Sequence, residues 1–583
     1  MRLNRVLGLA IASAVLLASP GTQGAESRPA SPFARQVDDY LEQFAHFHPS
    51  IAAGNGIHTH DADLEDFSAA SIAAELRWQL SSKAKLVALD EKTLSTDERV
   101  DLRILQGIID GWILDLDTLH TWTRNPMVYV VAISDGLHNL ATMQNAAPDV
   151  RTGQALAKLQ SLPRLLASAR ANVRNPPKVY VERAVTMLAG VEDLLSKDLT
   201  LAFADLKDAS LHRQLVQRGQ AARVEIAAYR QELQTKVLPT AHGDFAVGLK
   251  NVEARYRAEE LIDLPAEQLL KIGERELFAK RAEFVATALR IDAANPPAAV
   301  WRSVQSDHPQ RGQVIAAAQN ILDQLFAFIQ TRDLMAVPRD EHIIVAPAPA
   351  YDLGLASMHS SPPLEAHPVQ SYYYITDAQS DWPPERQDAW LQNLNYATLG
   401  DITAHEVAPG HFLHSVYMRN TPGKIRRIWI GLNPFPQPSS GQDGWAHYAE
   451  QMVSDEGFKN DDPRYRLAQI DESLKRICRL IAGIRLHSGE WTVDQAQALF
   501  EREAHATAEV ARREAVRGTY DPTYGGYFLG KLAAFKLRRD YAAARGTQFS
   551  LKEFHERIMT DGIAPWWAPR QLLLPGDHGA VVD

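Results

Sequence analysis

The chain has 583 residues, of which 45% are hydrophobic and 23% are charged, a composition typical of an ordinary globular protein. The net charge is −10 and the sequence contains no block of basic residues, so nucleic acid is not expected as a partner. Cys478 is the only cysteine, which excludes an internal disulfide and any metal site built from several thiolates. A metal ion would therefore have to be held by histidines and carboxylates.

The amino terminus has the pattern of a signal peptide. Arg2 and Arg5 precede an apolar run from Val6 to Leu17, and small residues follow up to Ala25. This run is too short to indicate a membrane span, and no second run of eighteen or more apolar residues follows it. Removal of residues 1–25 is expected to leave a periplasmic or secreted chain with no stable insertion in the membrane.

Residues 26–335 are predicted to form an N-terminal helical region, because apolar residues recur there at spacings of three and four. Breaks are predicted near Asn175, Asp263 and Asn295, each of which precedes a proline by one or two residues. Residues 336–583 are predicted to form the catalytic region, in one continuous body with the N-terminal region.

The pattern changes near Val337. VPRDEHIIVAPAPAYD and PVQSYYYITD are short β-branched or aromatic runs, and they are the best strand candidates in the chain. The second run is expected to offer an edge to which an extended peptide could add, with Tyr373 as a substrate contact. Packing in a core is the alternative for each of its tyrosines. Helices are predicted again over PERQDAWLQNLNYATLGDITAHE and from Trp445 to about Ile558, which gives a mainly α fold with a small sheet beside the motif helix.

The segment HEVAPGHFLH begins like the zinc-binding motif H-E-x-x-H, in which two histidines four residues apart share one helix face. Here Pro409 takes the fifth place. The next histidine, His411, lies about 240° further round an ideal helix than His405. Pro409 should make the helix bulge or stop, and Gly410 permits a sharp bend. Such a distortion could bring His411 back beside His405.

A third metal ligand is expected from the segment DGWAHYAEQMV. Asp443 and Glu450 are seven residues apart, so they lie nearly on one helix face, one as ligand and the other behind it. His447, in the same helix, is a candidate neighbour. His414 follows His411 by three residues and could face the metal with it, or could instead line the cleft or the surface.

Several tyrosines near the C-terminus could take part in catalysis. The segment EAVRGTYDPTYGGYFLGKL contains Tyr520, Tyr524 and Tyr527, and a tyrosine hydroxyl aimed at the substrate carbonyl would stabilise an oxyanion. Spacing alone singles out none of the three, and packing in the core is the alternative for each.

Taken together, the segments HEVAPGH, GWAHYAE, EAVR and YFLGK resemble bacterial domain of unknown function family 885. Its members are regarded as zinc peptidases similar to the thimet-oligopeptidase and carboxypeptidase-Taq groups of gluzincins. The resemblance is strong over about residues 365–535 and weaker over the rest of the mature chain. It implies a zincin-like, α-rich body with a deep cleft.

The resemblance also assigns roles to residues. It implies that His405 and His411 bind the metal and that Glu406 is the catalytic base. The family usually has Glu at the position of Asp443, so the third ligand is either Asp443 or Glu450. Four further residues are implicated: Tyr527 in oxyanion stabilisation, Arg517 and Lys531 in substrate binding, and His487 behind the ligands. His414, which stands where the family commonly has Gln, is a further candidate behind the ligands.

The function implied by these observations is that of an exported metallopeptidase with one zinc ion per chain. Glu406 would take a proton from the attacking water and pass it to the leaving amine. Short peptides are expected as substrates. Two alternatives remain open from the sequence: a zinc hydrolase of a non-peptide amide or ester, and a non-catalytic exported binding protein with a decayed metal site. Manganese and cobalt also suit such ligands.

Overall fold

The computed structural model describes residues 31–143, 145–338, 340–348, 354–428 and 440–583. Helices dominate, and a single three-stranded sheet is found in these ranges, which confirms the mainly α fold with a small sheet. The predicted signal peptide, residues 1–25, lies outside the described residues. No described helix is both long enough and apolar enough to cross a membrane.

The described chain up to residue 338 is helical. Its α-helices are α1 Pro32–Phe47, α2 Pro49–Gly54, α3 Ala69–Val87, α4 Thr96–Ile113, α5 Thr121–Arg124, α6 Met127–Thr142, α7 Pro148–Asn172, α8 Lys178–Asp193, α9 Leu199–Ala202, α10 Ala209–Glu232, α11 Leu249–Glu259, α12 Ala266–Ile291, α13 Pro297–Gln305 and α14 Val314–Thr331. The predicted breaks are confirmed, since α8, α12 and α13 each begin directly after a proline that cannot extend a preceding helix: Pro177, Pro265 and Pro296.

The sheet consists of β1 Ile343–Pro347, β2 Ala356–His359 and β3 Ser371–Ile375, in the order β1-β3-β2. β1 pairs with β3 in parallel and β2 pairs with it antiparallel. The expectation that β3 offers a free edge is therefore wrong, because both of its edges are hydrogen-bonded to neighbouring strands. The two edge strands are β1 and β2, and β2 was not predicted from the sequence.

The second half of the described chain is again helical. Its α-helices are α15 Pro384–Gln392, α16 Tyr396–Glu406, α17 His411–Met418, α18 Ser440–Asp455, α19 Pro463–His487, α20 Val493–Glu503, α21 Ala508–Tyr520, α22 Gly526–Arg545, α23 Leu551–Thr560 and α24 Trp567–Leu573. The side chain of Asn395 caps α16 by accepting a hydrogen bond from the backbone N–H of Thr398. This cap starts the helix that carries His405 and Glu406.

Three apolar clusters form the interior. The largest extends from Val252 to Val582 and joins α11–α14 with the sheet and most later helices, so it contains residues on both sides of position 335. The division of the chain at that position stays a prediction. A second cluster contains residues of α6–α8 and α10, and a third packs α1 and α4 against Ile425 and Ala564. Parts of the chain distant in sequence thus meet around the sheet.

His58 links the N-terminal helices to the loop between β2 and β3. Its Nδ1 lies 2.9 Å from Asp61 Oδ2, and its Nε2 lies 2.9 Å from Glu365 Oε2. Burial alone would lower the pKa of His58, but the hydrogen bonds and charges of the two carboxylates outweigh burial and raise that pKa to about 9. His58 is therefore charged near neutral pH and holds the loop by an ion pair on each side.

We expect this pair of contacts to make the free energy of unfolding depend on pH. The pKa is raised on folding, so the stabilisation is fully present below the unfolded value of about 6.5 and is lost as the pH rises through about 9. His58→Gln should therefore be less stable than the unmodified protein at pH 6 and approach it at pH 9.5. Urea denaturation measures this difference, with the exposed His242→Gln as control. An equal difference at both pH values would contradict the prediction.

Candidate metal centre

The motif helix stops at Glu406, and a separate helix, α17, begins at His411. The backbone N–H of Gly410 donates to the carbonyl of Ala404 at 3.0 Å, so the connecting turn folds back onto the end of α16. A Cβ atom on Gly410 would lie 1.6 Å from the carbonyl oxygen of His405. Only glycine fits at this position, because any side chain would overlap the backbone.

The break brings the two motif histidines together. The ring centroids of His405 and His411 are 4.7 Å apart, with the ring planes at 83°. Trp445 of α18 donates from its indole N–H to the carbonyl of Pro409 at 2.9 Å and so holds the turn from outside. The two histidines of this motif are two residues further apart than those of H-E-x-x-H, and the turn between α16 and α17 accommodates the two extra residues.

Asp443 completes a group of three metal-binding side chains. Its Oδ1 lies 3.6 Å from His405 Nε2 and 3.9 Å from His411 Nε2. One donor atom from each of the three residues lies within 4.8 Å of the others. Asp443 Oδ2 and His411 Nδ1 are buried and have no hydrogen-bond partner among the described residues. Two imidazoles and a carboxylate in this arrangement match the donor set of a catalytic zinc site.

A close helix crossing sets the position of Asp443. It stands in the first turn of α18, and the next residue, Gly444, packs against Gly530 of α22. A Cβ atom on Gly444 would lie 2.5 Å from the Cα of Gly530, so neither helix could carry a larger residue without moving apart. This contact fixes how far α18 advances toward the two histidines.

Glu450 lies behind His405 and not beside Asp443. Its Oε1 lies 2.7 Å from His405 Nδ1, 2.9 Å from His447 Nδ1 and 3.4 Å from the Nη2 of Arg476. A carboxylate on Nδ1 fixes the ring orientation and leaves Nε2 turned toward His411 and Asp443. Of the two carboxylates that the sequence left open, Asp443 thus lies on the ligand side and Glu450 on the supporting side.

His405, His447 and Glu450 form a second group with metal-binding side chains. This group fits a cation poorly, because Arg476 already places its positive charge there: its Nε lies 3.1 Å from His447 Nε2 and it also binds Glu472. A metal ion would have to compete with that guanidinium. Burial alone would raise the pKa of Glu450, but Arg476, together with His447 and His405, outweighs burial and lowers that pKa well below the usual range, so Glu450 stays ionised.

The ionisation states of His411 and Asp443 suit metal binding, whereas His405 must lose a proton before it can bind a metal. Burial lowers the pKa of His411 to about 3, so this ring is neutral and offers a lone pair. Burial alone would raise the pKa of Asp443, but His405 and His411 outweigh burial and lower it, so Asp443 is an anion. Burial alone would lower the pKa of His405, but Asp443 and Glu450 raise it to about 10. Burial raises the pKa of Glu406 to about 7.

A cavity of about 550 Å³ opens beside this group, and Glu406 lines it together with His405, His411 and Asp443. This volume lies within the usual range of about 300–1,000 Å³ for small-molecule sites. All four residues of β2 line the cavity, and Tyr372 and Tyr374 of β3 contribute to its wall. Four half-buried residues of α6 form a further part of the wall: Asp135, His138, Asn139 and Thr142.

Comparisons with known proteins place the chain in a family. The profile described as "Bacterial protein of unknown function (DUF885)" matches residues 49–568. This chain belongs to the DUF885 family. No curated protein sequence matches the chain.

Two solved structures share the fold of this DUF885 protein. A "putative lipoprotein of unknown function" from Shewanella oneidensis has a TM-score of 0.78 and 22% identity, over 94% of this chain and 100% of that one. A "putative lipoprotein" from Colwellia psychrerythraea has a TM-score of 0.77 and 16% identity, over 93% of this chain and 98% of that one. At these identities the likeness concerns the fold alone.

Tyr373, Lys531 and His414, all candidates from the sequence, do not line the cavity. Tyr373 is fully buried, with its hydroxyl 3.3 Å from Thr403 Oγ1 of the motif helix, and its neighbours on either side face the cavity instead. Lys531 is buried and donates to Ser473 at 2.8 Å. His414 lies 3.0 Å from the carbonyl oxygen of Gly562 and so anchors the chain after α23.

The remaining candidates lie behind the metal centre or away from it. Arg517 donates to the hydroxyl of Tyr527 at 2.5 Å, and the Tyr527 ring centroid is 6.5 Å from that of His447. Neither residue lines the cavity described above, so the oxyanion role of Tyr527 stays a prediction. His487 lies 2.8 Å from the carbonyl oxygen of Gly518, in a different part of the DUF885 fold.

Sequence reasoning missed three residues of the site. Arg476, which orients Glu450, stands 26 residues after it in α19, and no local pattern marks the pairing. Arg427 and Asp135 line the cavity but belong to distant segments. Asp135 shares one face of α6 with other polar residues, and this polar face is the one sequence signal that could have marked it.

The turn at Gly410 supplies a test of how the centre is built. Gly410→Ala should lower the free energy of unfolding by at least about 2 kcal/mol, because the new Cβ would overlap the carbonyl of His405 and force the helices apart. Urea denaturation would measure the loss. The control is Gly153→Ala in α7, where nothing lies within 4 Å and alanine favours the helix. Equal stability of the two variants would show that the turn tolerates a side chain.

Proposed function

We propose that this DUF885 protein is a zinc-dependent hydrolase that cleaves peptide bonds. The observation that carries the proposal is the convergence of His405, His411 and Asp443 at one cavity that Glu406 also lines. A site that only binds a metal needs ligands but no neighbouring base, whereas a metal-dependent hydrolase needs both the ligands and a base. The orphaned Asp443 Oδ2 and the neutral ring of His411 support a cation at this point.

The edge strand β2 supports a peptide as the substrate. Among the described residues it pairs with β3 on one side only, and Ala356, Ser357, Met358 and His359 all line the cavity. An extended peptide can bind such a strand through main-chain hydrogen bonds, with its side chains alternating between two faces. A substrate carbonyl bound along β2 would share the cavity with Glu406.

Zinc, when bound, would supply a Lewis acid that lowers the pKa of water and polarises the scissile carbonyl. Glu450 holds the ring of His405, and Trp445 holds the turn before His411, so the ligands keep their orientation. Glu406 takes a proton from the water that adds to the carbonyl carbon. The same carboxyl group then gives that proton to the nitrogen as the C–N bond breaks, which leaves a carboxylic acid and an amine.

Export of the protein is part of the proposal. Both structural neighbours are described as putative lipoproteins, which is compatible with an exported protein. The signal-peptide pattern over residues 1–25 supports a periplasmic or secreted location.

We expect about one zinc ion per chain, lost in His411→Ala and kept in the exposed His242→Ala. Zinc must displace a proton from His405, whose pKa in the metal-free protein is about 10, so the apparent affinity should rise about tenfold per pH unit between pH 7 and 9. Elemental analysis and chelator competition would measure these quantities. Zinc retained in His411→Ala, or an affinity independent of pH, would contradict this assignment.

Glu406→Gln should keep zinc and lower kcat at least about 100-fold, because the amide cannot take a proton from water. The matched control is Glu385→Gln at the exposed start of α15, which should behave like the unmodified protein. Hydrolysis of a tripeptide pool, followed by mass spectrometry, would measure both variants. Full activity in Glu406→Gln with zinc bound would exclude Glu406 as the base.

A further inference from the structure

We propose that the cavity selects short peptides by their two charged ends, with Arg427 binding the terminal carboxylate and Asp135 binding the terminal ammonium group. This rests on the proposed function and specifies its substrate class as unblocked oligopeptides of a few residues. Both residues line the cavity that contains the metal-binding group.

Arg427 is a cation without an acidic partner in the described part of the chain. Its described hydrogen bond runs from Nη2 to the carbonyl oxygen of Pro363, and its Nε is buried without a partner. Burial lowers the pKa of Arg427, as expected for a guanidinium that no carboxylate offsets. A planar guanidinium in this state is well suited to bind a carboxylate.

The residue before it explains why Arg427 faces the cavity. Arg426 is fully buried, with Nε 2.7 Å from Asp101 Oδ1 and Nη2 2.6 Å from Asp97 Oδ1. Its carbonyl accepts a hydrogen bond from the N–H of Ile563 at 2.8 Å. These contacts hold the short turn against helix α4. The direction of the Arg427 side chain is therefore set by a rigid backbone and not by an ion pair with a carboxylate.

Asp135 presents the opposite charge from another wall. Its only described hydrogen bond is with the hydroxyl of Ser134, at 3.2 Å, and no cation in the described residues pairs with it. Burial raises the pKa of Asp135 to about 7, and the nearby Glu65 adds to this effect. A carboxyl group held in this way gains from an ammonium ion, which would restore its charge.

The face of α6 that carries Asp135 is turned to the cavity. Asp135, His138, Asn139 and Thr142 follow the spacing of one helix face, and all four line the cavity. The opposite face, which includes Ile133 and Leu137, is buried in the second apolar cluster. The packing of that cluster therefore holds Asp135 in place.

The two charges do not neutralise each other, since no ion pair joins them among the described residues. A cavity of about 550 Å³ that contains a carboxylate, a guanidinium and a metal-binding group matches a small zwitterion better than a segment of a long chain. Blocking either end of the peptide would leave one charge buried without its partner. We therefore expect blocked peptides to be poor ligands.

The test uses trialanine in four forms: free, N-acetylated, C-amidated and blocked at both ends. We expect kcat/KM to fall at least about tenfold for each blocked end, because a charge-assisted hydrogen bond is lost. Arg427→Ala should show the same loss on free trialanine and less than about a twofold change on the C-amide. Asp135→Asn should show the same loss of kcat/KM on free trialanine and the same small change on the N-acetylated form.

Two control variants separate these effects from a general loss of charge or of folding. Lys424→Ala removes a cation three residues before Arg427 that pairs with Asp38 outside the cavity. Asp149→Asn removes an exposed carboxylate in the first turn of α7. Both should hydrolyse all four peptides as the unmodified protein does. The unfolding midpoint and zinc content of each variant show that it is folded.

Binding to Glu406→Gln, measured by calorimetry with the same four peptides, separates this proposal from the peptidase proposal. Equal binding and equal cleavage of free and blocked trialanine would overturn selection by the charged ends while the peptidase activity stands. Preferential binding of free trialanine without hydrolysis by the unmodified protein would overturn the peptidase proposal alone. No binding of any form would overturn both.

Discussion

The candidate metal centre depends on one steric constraint: the backbone of Gly410 lies against the carbonyl of His405, with no space for a Cβ atom between them. That contact ends α16 directly after Glu406 and starts α17 at His411. A straight helix would have directed the two histidines to different sides. The relative positions of His405, Glu406 and His411 therefore follow from a turn whose residues carry no reactive group.

Much of the sequence pattern that marks the family serves this geometry. Gly444 and Gly530 permit the close crossing of α18 and α22, and Trp445 holds the carbonyl of Pro409. These residues touch no substrate, yet each sets the position of a side chain that would. Arg476 acts one step further back, because it keeps Glu450 charged and Glu450 in turn orients His405.

The sequence predicted those features that arise from local chemistry. Proline breaks, the helical regions, the run that became β3 and the disturbed motif at Pro409 all depend on neighbouring residues. β2 was missed because ASMH has neither an alternating pattern nor a β-branched run, and it forms only because β3 offers it an edge. Arg427 and Asp135 were missed for a related reason: they stand in distant segments of the sequence and meet at one cavity only in the folded structure.

The cavity is built by parts of all three apolar clusters. The metal-binding group is embedded in the largest cluster, α6 belongs to the second, and the turn at Arg427 packs with the third through Ile425. A ligand that spans the cavity would thus contact bodies that pack separately. By thermodynamic linkage, its binding free energy would be added to the cohesion between those bodies. The three clusters would then be held together most strongly when a ligand is bound. Residues far from the ligand would in turn set part of its affinity.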